Sequence, residues 1–207
     1  MAQVFELFPT PLVHVPQLID GGTAQALHER FIREAVLPNA RDGALAHSLI
    51  LDPTQDPTLA VLTQRLLPAV VDLGRLMFGE VLPWAIKEMW ANVLQPGAHQ
   101  SVHNHANCFI SGVVYLSAVH ASAQTVFIRS LGGRDFVFSN SHASTVTGAF
   151  NADKWVAPAP SIGDALLFPS SMLHEVPINR GGVRVSIAFN AIPRRLDAWG
   201  YGLNFSR

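Results

Sequence analysis

Apolar side chains recur at helical spacing twice early in the chain, and beyond Pro83 the period shortens to two. Ala24, Leu27, Phe31 and Ala35 follow the helix-start signal Asp20-Gly21-Gly22-Thr23 and are stopped by Pro38. Leu59, Leu62, Leu66, Val70, Leu73 and Met77 form a second stripe, capped by Asp56 and opened by Pro57 in its first turn. Pro68 inside that stripe predicts a kink or a break into two pieces. Residues 4–15 alternate poorly and predict an edge strand that begins after Pro9 and Pro11. Residues 39–53 read as loop with a short strand at 48–51.

Residues 84–94 read as a strand, with Trp84, Ile86, Glu88, Trp90 and Asn92 on one face. Pro96-Gly97 turns the chain into a second strand that carries His103 and His105. Further strands are predicted at 124–129, 135–138, 154–157, 164–168 and 183–192, between Gly-, Ser-, Asn- and Pro-rich connections. Two helices followed by a succession of short strands is not a βαβ pattern. It predicts a mainly β fold, an antiparallel sandwich or barrel with the N-terminal helices packed outside.

The chain has 207 residues, 49% hydrophobic and 14% charged, with a net charge of -1. That suits one well-buried domain, with 1–83 as a helical support region and 84–207 as the core. The charge disfavours nucleic acid as a partner. Cys108 is the one cysteine, so no intrachain disulfide forms and a reducing, cytoplasmic setting is expected. The N-terminus lacks a signal-peptide pattern and no apolar run reaches membrane-spanning length, so no membrane partner is expected.

His103 and His105 sit two apart before the apolar run 109–116. On an extended strand both imidazoles would share a face, making half of a transition-metal site. A third candidate, His174, ends a turn that follows the buried-looking segment 163–168. Ten residues on, Arg184 shares a strand face with Ser186, Ala188 and Asn190, while Val183, Val185, Ile187 and Phe189 take the other. A guanidinium among β-branched residues needs an anion or solvent, and its planar fork suits a carboxylate.

With these residues in order, the chain resembles the iron(II)- and 2-oxoglutarate-dependent oxygenases, and more closely a bacterial and phage branch of unsettled substrate. Phe8-Pro9-Thr10-Pro11, Trp90-Ala91-Asn92, His103-Asn104-His105 and 111–116 carry the resemblance, together with 168–174 and 184–190. It implies a double-stranded β-helix (jelly-roll) core and an enzyme that uses Fe(II), 2-oxoglutarate and O2 to hydroxylate a substrate, releasing succinate and CO2. It also implies His103, His105 and His174 as iron ligands, and Arg184 with Ser186 on the distal carboxylate of 2-oxoglutarate. Asn92 and Tyr115 are implied as further cosubstrate contacts. The chain departs from the family at one ligand, since His105 stands where a carboxylate is usual. Three neutral imidazoles would leave the iron one unit more positive.

Two other readings fit parts of the pattern. A cupin-type metalloprotein without 2-oxoglutarate would use Gly97 with His103 and His105, then Gly163, Pro169 and His174, but leaves Arg184 and Ser186 idle. A non-catalytic jelly-roll binding module with a structural metal would want four ligands, and three are found. His99 reads as solvated, and His14, His28, His47, His120 and His142 read as surface residues. Trp84 and Trp90 read as core, and Cys108 as a small buried hydrophobe. Glu88 is balanced between a cavity role and none. The substrate, a small molecule or a peptide, is not named by composition, and a homodimer is an admissible assembly. Residues 37–52 and 139–151 are candidate rim loops for it.

Overall fold

The computed structural model describes residues 2–129 and 142–205. Strand β1 (Val13–Val15) starts just past the prolines and lies at a sheet edge, as expected. Helix α1 (Gly21–Glu34) follows, with the Asp20 carboxylate accepting from the Thr23 amide and Ala24, Leu27 and Phe31 buried. Two short strands, β2 (Leu37–Pro38) and β3 (Leu45–His47), form a hairpin. The predicted strand at 48–51 is therefore displaced toward the N-terminus. The Asn39 side chain accepts from the amides of Arg41 and Asp42, setting the turn early. Ser48 and Leu51 then keep single backbone bonds, to Ala91 and Met89.

Helix α2 (Pro57–Phe78) is capped by Asp56 and runs unbroken through Pro68, against the predicted break. Proline inside a helix costs about 3 kcal/mol. Leu59, Leu62, Leu66, Val70 and Leu73 are all essentially buried along the stripe, and at about 1.5–3 kcal/mol each their burial outweighs that cost.

The regular structure that follows is strand apart from one 3-10 turn (Ala121–Ala123): β4 (Trp84–Leu94), β5 (Gln100–His103), β6 (Ile110–Tyr115), β7 (Val126–Ile128), β8 (Lys154–Val156), β9 (Ala165–Pro169), β10 (Leu173–Val176) and β11 (Arg184–Pro193). A C-terminal hairpin, β12 (Arg195–Ala198) and β13 (Tyr201–Asn204), was not anticipated. Nor was β10, whose residues read as a turn. The predicted strand at 135–138 and residues 139–141 of one rim loop lie outside the described residues.

The larger sheet has the order β1-β9-β6-β11-β4-β3-β2 and the smaller one β5-β10-β7-β8, with antiparallel pairing throughout. This is a jelly-roll core with α1 and α2 against the outer face of the larger sheet, where Phe31, Leu66 and Val70 pack with Ile187 and Phe189.

One register shift matters for the site. Asn190 pairs with Glu88 but Ala191 pairs with Ile86, so Lys87 is an extra residue in β4. The bulge reverses the alternation. Trp84 and Ile86 join Met89, Ala91 and Val93 in the helix-side core, while Trp90 and Asn92 face the space between the sheets. The single face predicted for 84–92 is thus two faces.

Candidate metal centre

The smaller sheet supplies two of the three histidines as cross-strand neighbours, His103 on β5 opposite His174 on β10. His105 lies beyond the end of β5, so strand alternation does not aim it. Its amide donates to the Ser170 carbonyl at 3.0 Å, which folds the turn back toward the other two rings. Ring centroids are 4.2 Å apart for His103–His174, 5.1 Å for His103–His105 and 5.2 Å for His105–His174. One nitrogen from each lies within 4.8 Å of the others.

Two of the rings are oriented from behind. The Nδ1 of His103 lies 2.8 Å from the Ser101 carbonyl and that of His174 lies 2.9 Å from the Met172 carbonyl. A carbonyl only accepts, so each Nδ1 carries the proton and each Nε2 offers its lone pair to a metal. Burial, then the neighbouring His103, pushes His105 down to about 4 and His174 down to about 3. Burial also lowers His103. The imidazoles are therefore neutral at pH 7, the state that ligates metals.

Across the gap, β11 of the larger sheet presents Arg184 and Ser186. Arg184 is 4% exposed, its Nη1 donates to Ser186 Oγ at 3.3 Å, and its guanidinium lies 5.3 Å from the Tyr115 ring centre. Its Nε has no hydrogen-bond partner, and no acidic side chain among the described residues pairs with it. Asn92, opposite Ser186, also lines the cleft. Its Oδ1 lies 2.7 Å from His47 Nδ1, and His47 Nε2 lies 2.8 Å from Asn39 Nδ2. The Asn39 amide can only donate to that Nε2, so His47 donates from Nδ1 and the Asn92 amide hydrogens are left for the cleft. Tyr115 sits behind Arg184, 1% exposed, its hydroxyl 3.2 Å from Thr125 Oγ1.

Several side chains depart from the sequence reading. Trp84 is core, but Trp90 is half-buried on the cleft wall, 5.7 Å from His105. His47 supports Asn92 rather than meeting solvent. Only the pairing of β3 with β4 reveals that role, and local sequence holds no sign of a non-local pairing. His14 lies 2.8 Å from the buried Asp164 and His99 3.1 Å from Asp42. His28 Nδ1 is buried without a partner. Cys108 is half-buried and borders an apolar groove of about 1110 Å³ beside α2. That groove is wider than the cleft between the sheets, but among the described residues the cluster of potential metal ligands lies in the cleft and not there. As it stands the cleft has about 40 Å³ free, roughly the share of one water.

Residues 88–190 match the profile of a family described as "Putative 2OG-Fe(II) oxygenase". The chain belongs to the 2OG-Fe(II) oxygenases. The match begins on β4 and ends on β11, and so encloses the three histidines, Arg184 and Ser186. Among solved structures, the oxygenase is similar to the non-heme alpha ketoglutarate dependent epimerase SnoN from nogalamycin biosynthesis, at TM-score 0.64 and 16% identity, covering 90% of this chain and 77% of that one. It is similar to HygX from Streptomyces hygroscopicus with nickel and 2-oxoglutarate bound, at TM-score 0.64 and 15% identity, covering 89% and 83%. A Pseudomonas putida prolyl-4-hydroxylase matches at TM-score 0.58 and 17% identity, covering 89% and 94%. At these identities the likenesses establish the oxygenase's fold. No curated protein sequence matches the chain.

Proposed function

We propose that this oxygenase binds Fe(II) through His103, His105 and His174 and holds 2-oxoglutarate by its distal carboxylate on Arg184 and Ser186. The observation that carries the reading is Arg184. A buried guanidinium with an unpaired Nε is costly unless an anion completes it, and this one lies in the same cleft as three converging neutral imidazoles. Its fork accepts a carboxylate side-on, Ser186 adds a hydroxyl, and the Asn92 amide offers a further donor. Tyr115 holds the guanidinium in place by its ring. The cupin reading assigns none of these groups a role.

The bound iron and cosubstrate supply oxygen activation coupled to decarboxylation to succinate and CO2. The chain's own part is to fix three ligands, orient the cosubstrate and keep the cleft poor in water. A small organic substrate fits best, since the cleft is narrow; SnoN has been solved in complex with nogalamycin RO and HygX with hygromycin B bound. A reducing, cytoplasmic setting suits the lone Cys108, and no helix among the described residues is long and apolar enough to cross a membrane.

Anaerobic titration of the Fe(II)-loaded protein with 2-oxoglutarate tests the reading. A visible metal-to-ligand charge-transfer band is expected. Metal binding with neither a band nor 2-oxoglutarate affinity would move the assignment to a cupin-type centre.

A further inference from the structure

A row of hydrogen-bonded polar side chains, three of them buried, crosses the larger sheet. Glu88 on β4, Asn190 on β11, Ser111 on β6 and Ser170 at the end of β9 occupy four neighbouring strands in that order. Ser111, Ser170 and Asn190 are 1%, 1% and 3% exposed. Asn190 Nδ2 donates to Glu88 Oε1 at 2.8 Å, Ser111 Oγ lies 2.7 Å from Asn190 Oδ1, and Ser170 Oγ lies 2.9 Å from Ser111 Oγ. An amide oxygen only accepts, so the Ser111 hydroxyl donates to Asn190, and it stands within donating reach of Ser170 as well. The protons of Asn190 and Ser111 thus point toward the carboxylate. Such a chain polarises cooperatively and fits an ionised Glu88 at its end. At its other end, the Ser170 carbonyl accepts the amide of His105.

We propose that Glu88 is a positioning residue for the metal centre: the row anchors the turn that carries His105, and its carboxylate supplies from outside the ligand set the negative charge that three imidazoles lack. The inference rests on the three-histidine reading above. His105 needs such an anchor because it lies outside any strand. The bulge at Lys87 puts Glu88 on the cleft side with Trp90, whose ring adjoins His105. Burial opposes ionisation of Glu88, but Asn190 and Lys87 hold its carboxyl below the usual range. Lys87 also touches Oε1, at 3.2 Å; both side chains of that pair are about one-third exposed, and such pairs are weak and screened.

Co(II) titration, read by its visible ligand-field bands, separates the parts. Glu88→Gln keeps an acceptor for Asn190 and removes only the charge; Ser111→Ala keeps the charge and cuts the row. Glu88→Gln is expected to weaken Co(II) binding about tenfold, in the range of outer-shell partners of metal ligands, with the melting temperature of the metal-free protein unchanged. Ser111→Ala should shift the Co(II) bands as the His105 ring loses its fixed pose. Wild-type affinity and an unshifted spectrum in Glu88→Gln, with binding still lost in His105→Ala, would overturn the inference and leave the metal site standing. Wild-type protein that fails to bind Co(II) would overturn both.

Discussion

Arg184 illustrates a residue kept at a cost to the empty fold. Its guanidinium is 4% exposed and unmatched by any acid among the described residues. Even a buried ion pair can often be replaced by apolar side chains of similar volume at no loss, or with a gain of about 1–4 kcal/mol, and a buried charge with no acid beside it has less to lose. Arg184→Met should therefore melt no lower than the wild type when both are metal- and cosubstrate-free. The order should invert with Fe(II) and 2-oxoglutarate under anaerobic conditions, because only the wild type gains stability from the cosubstrate. Differential scanning fluorimetry reads both states. Arg184→Lys keeps a charge but not the fork, and the KM for 2-oxoglutarate should rise about tenfold or more in a steady-state assay. Among single residues, the His103, His174 and Arg184 set was legible because type, order and spacing all converged. His47 and the cleft role of Trp90 were not, since both depend on which strand lies alongside.

Elements were legible where a local signal exists. Asp20 and Asp56 cap their helices as read, and the long strands begin and end within a residue or so of their patterns. The failures have two causes. The extra residue at Lys87 and the short strand β10 are set by pairing with distant chain, whereas the hairpin β2–β3 is displaced by the Asn39 turn. Pro68 misled for a related reason, because local propensity was overridden by burial of the whole stripe. The seam between α2 and β4 offers a test of how tight that burial is. A Cβ at Gly74 would lie 2.5 Å from atoms of the Trp84 ring, and that ring is itself 5% exposed. Alanine would gain about 1 kcal/mol of helix propensity, but overpacking against a rigid ring costs about 1–3 kcal/mol. Gly74→Ala should thus lower stability by about 1 kcal/mol in urea unfolding, against the usual sign for glycine in a helix.

Across the molecule, the N-terminal region is tied to the strands by Asp164. Its carboxylate accepts from the Gln17 and Ser161 amides at 2.9 and 2.8 Å and meets His14 at 2.8 Å. Burial alone would raise this carboxyl; the bonds from Gln17, Ser161 and His14 hold it below the usual range. A depressed folded-state value contributes stability above the unfolded pKa of about 4, and that stability is lost as pH falls through the folded value. Asp164→Ala should cost about 2 kcal/mol near pH 7, or about 6 °C of melting temperature. The gap to the wild type should narrow below about pH 4, as thermal melts across pH would show.

The cleft has a mechanical consequence. Its imidazoles belong to the four-stranded sheet and turn, whereas Arg184, Ser186 and Asn92 belong to the seven-stranded one. An iron bound on one side and a dicarboxylate bound to both it and Arg184 would act as a staple between the two layers. Short strands such as β5, β7 and β8 have few ladder bonds of their own and should open most readily without it. Amide hydrogen exchange in those strands is therefore expected to be fast in the metal-free protein, little changed by metal alone, and slowed markedly only when both ligands are present. The cosubstrate would then be a part of the tertiary structure that is consumed and rebuilt at every turnover.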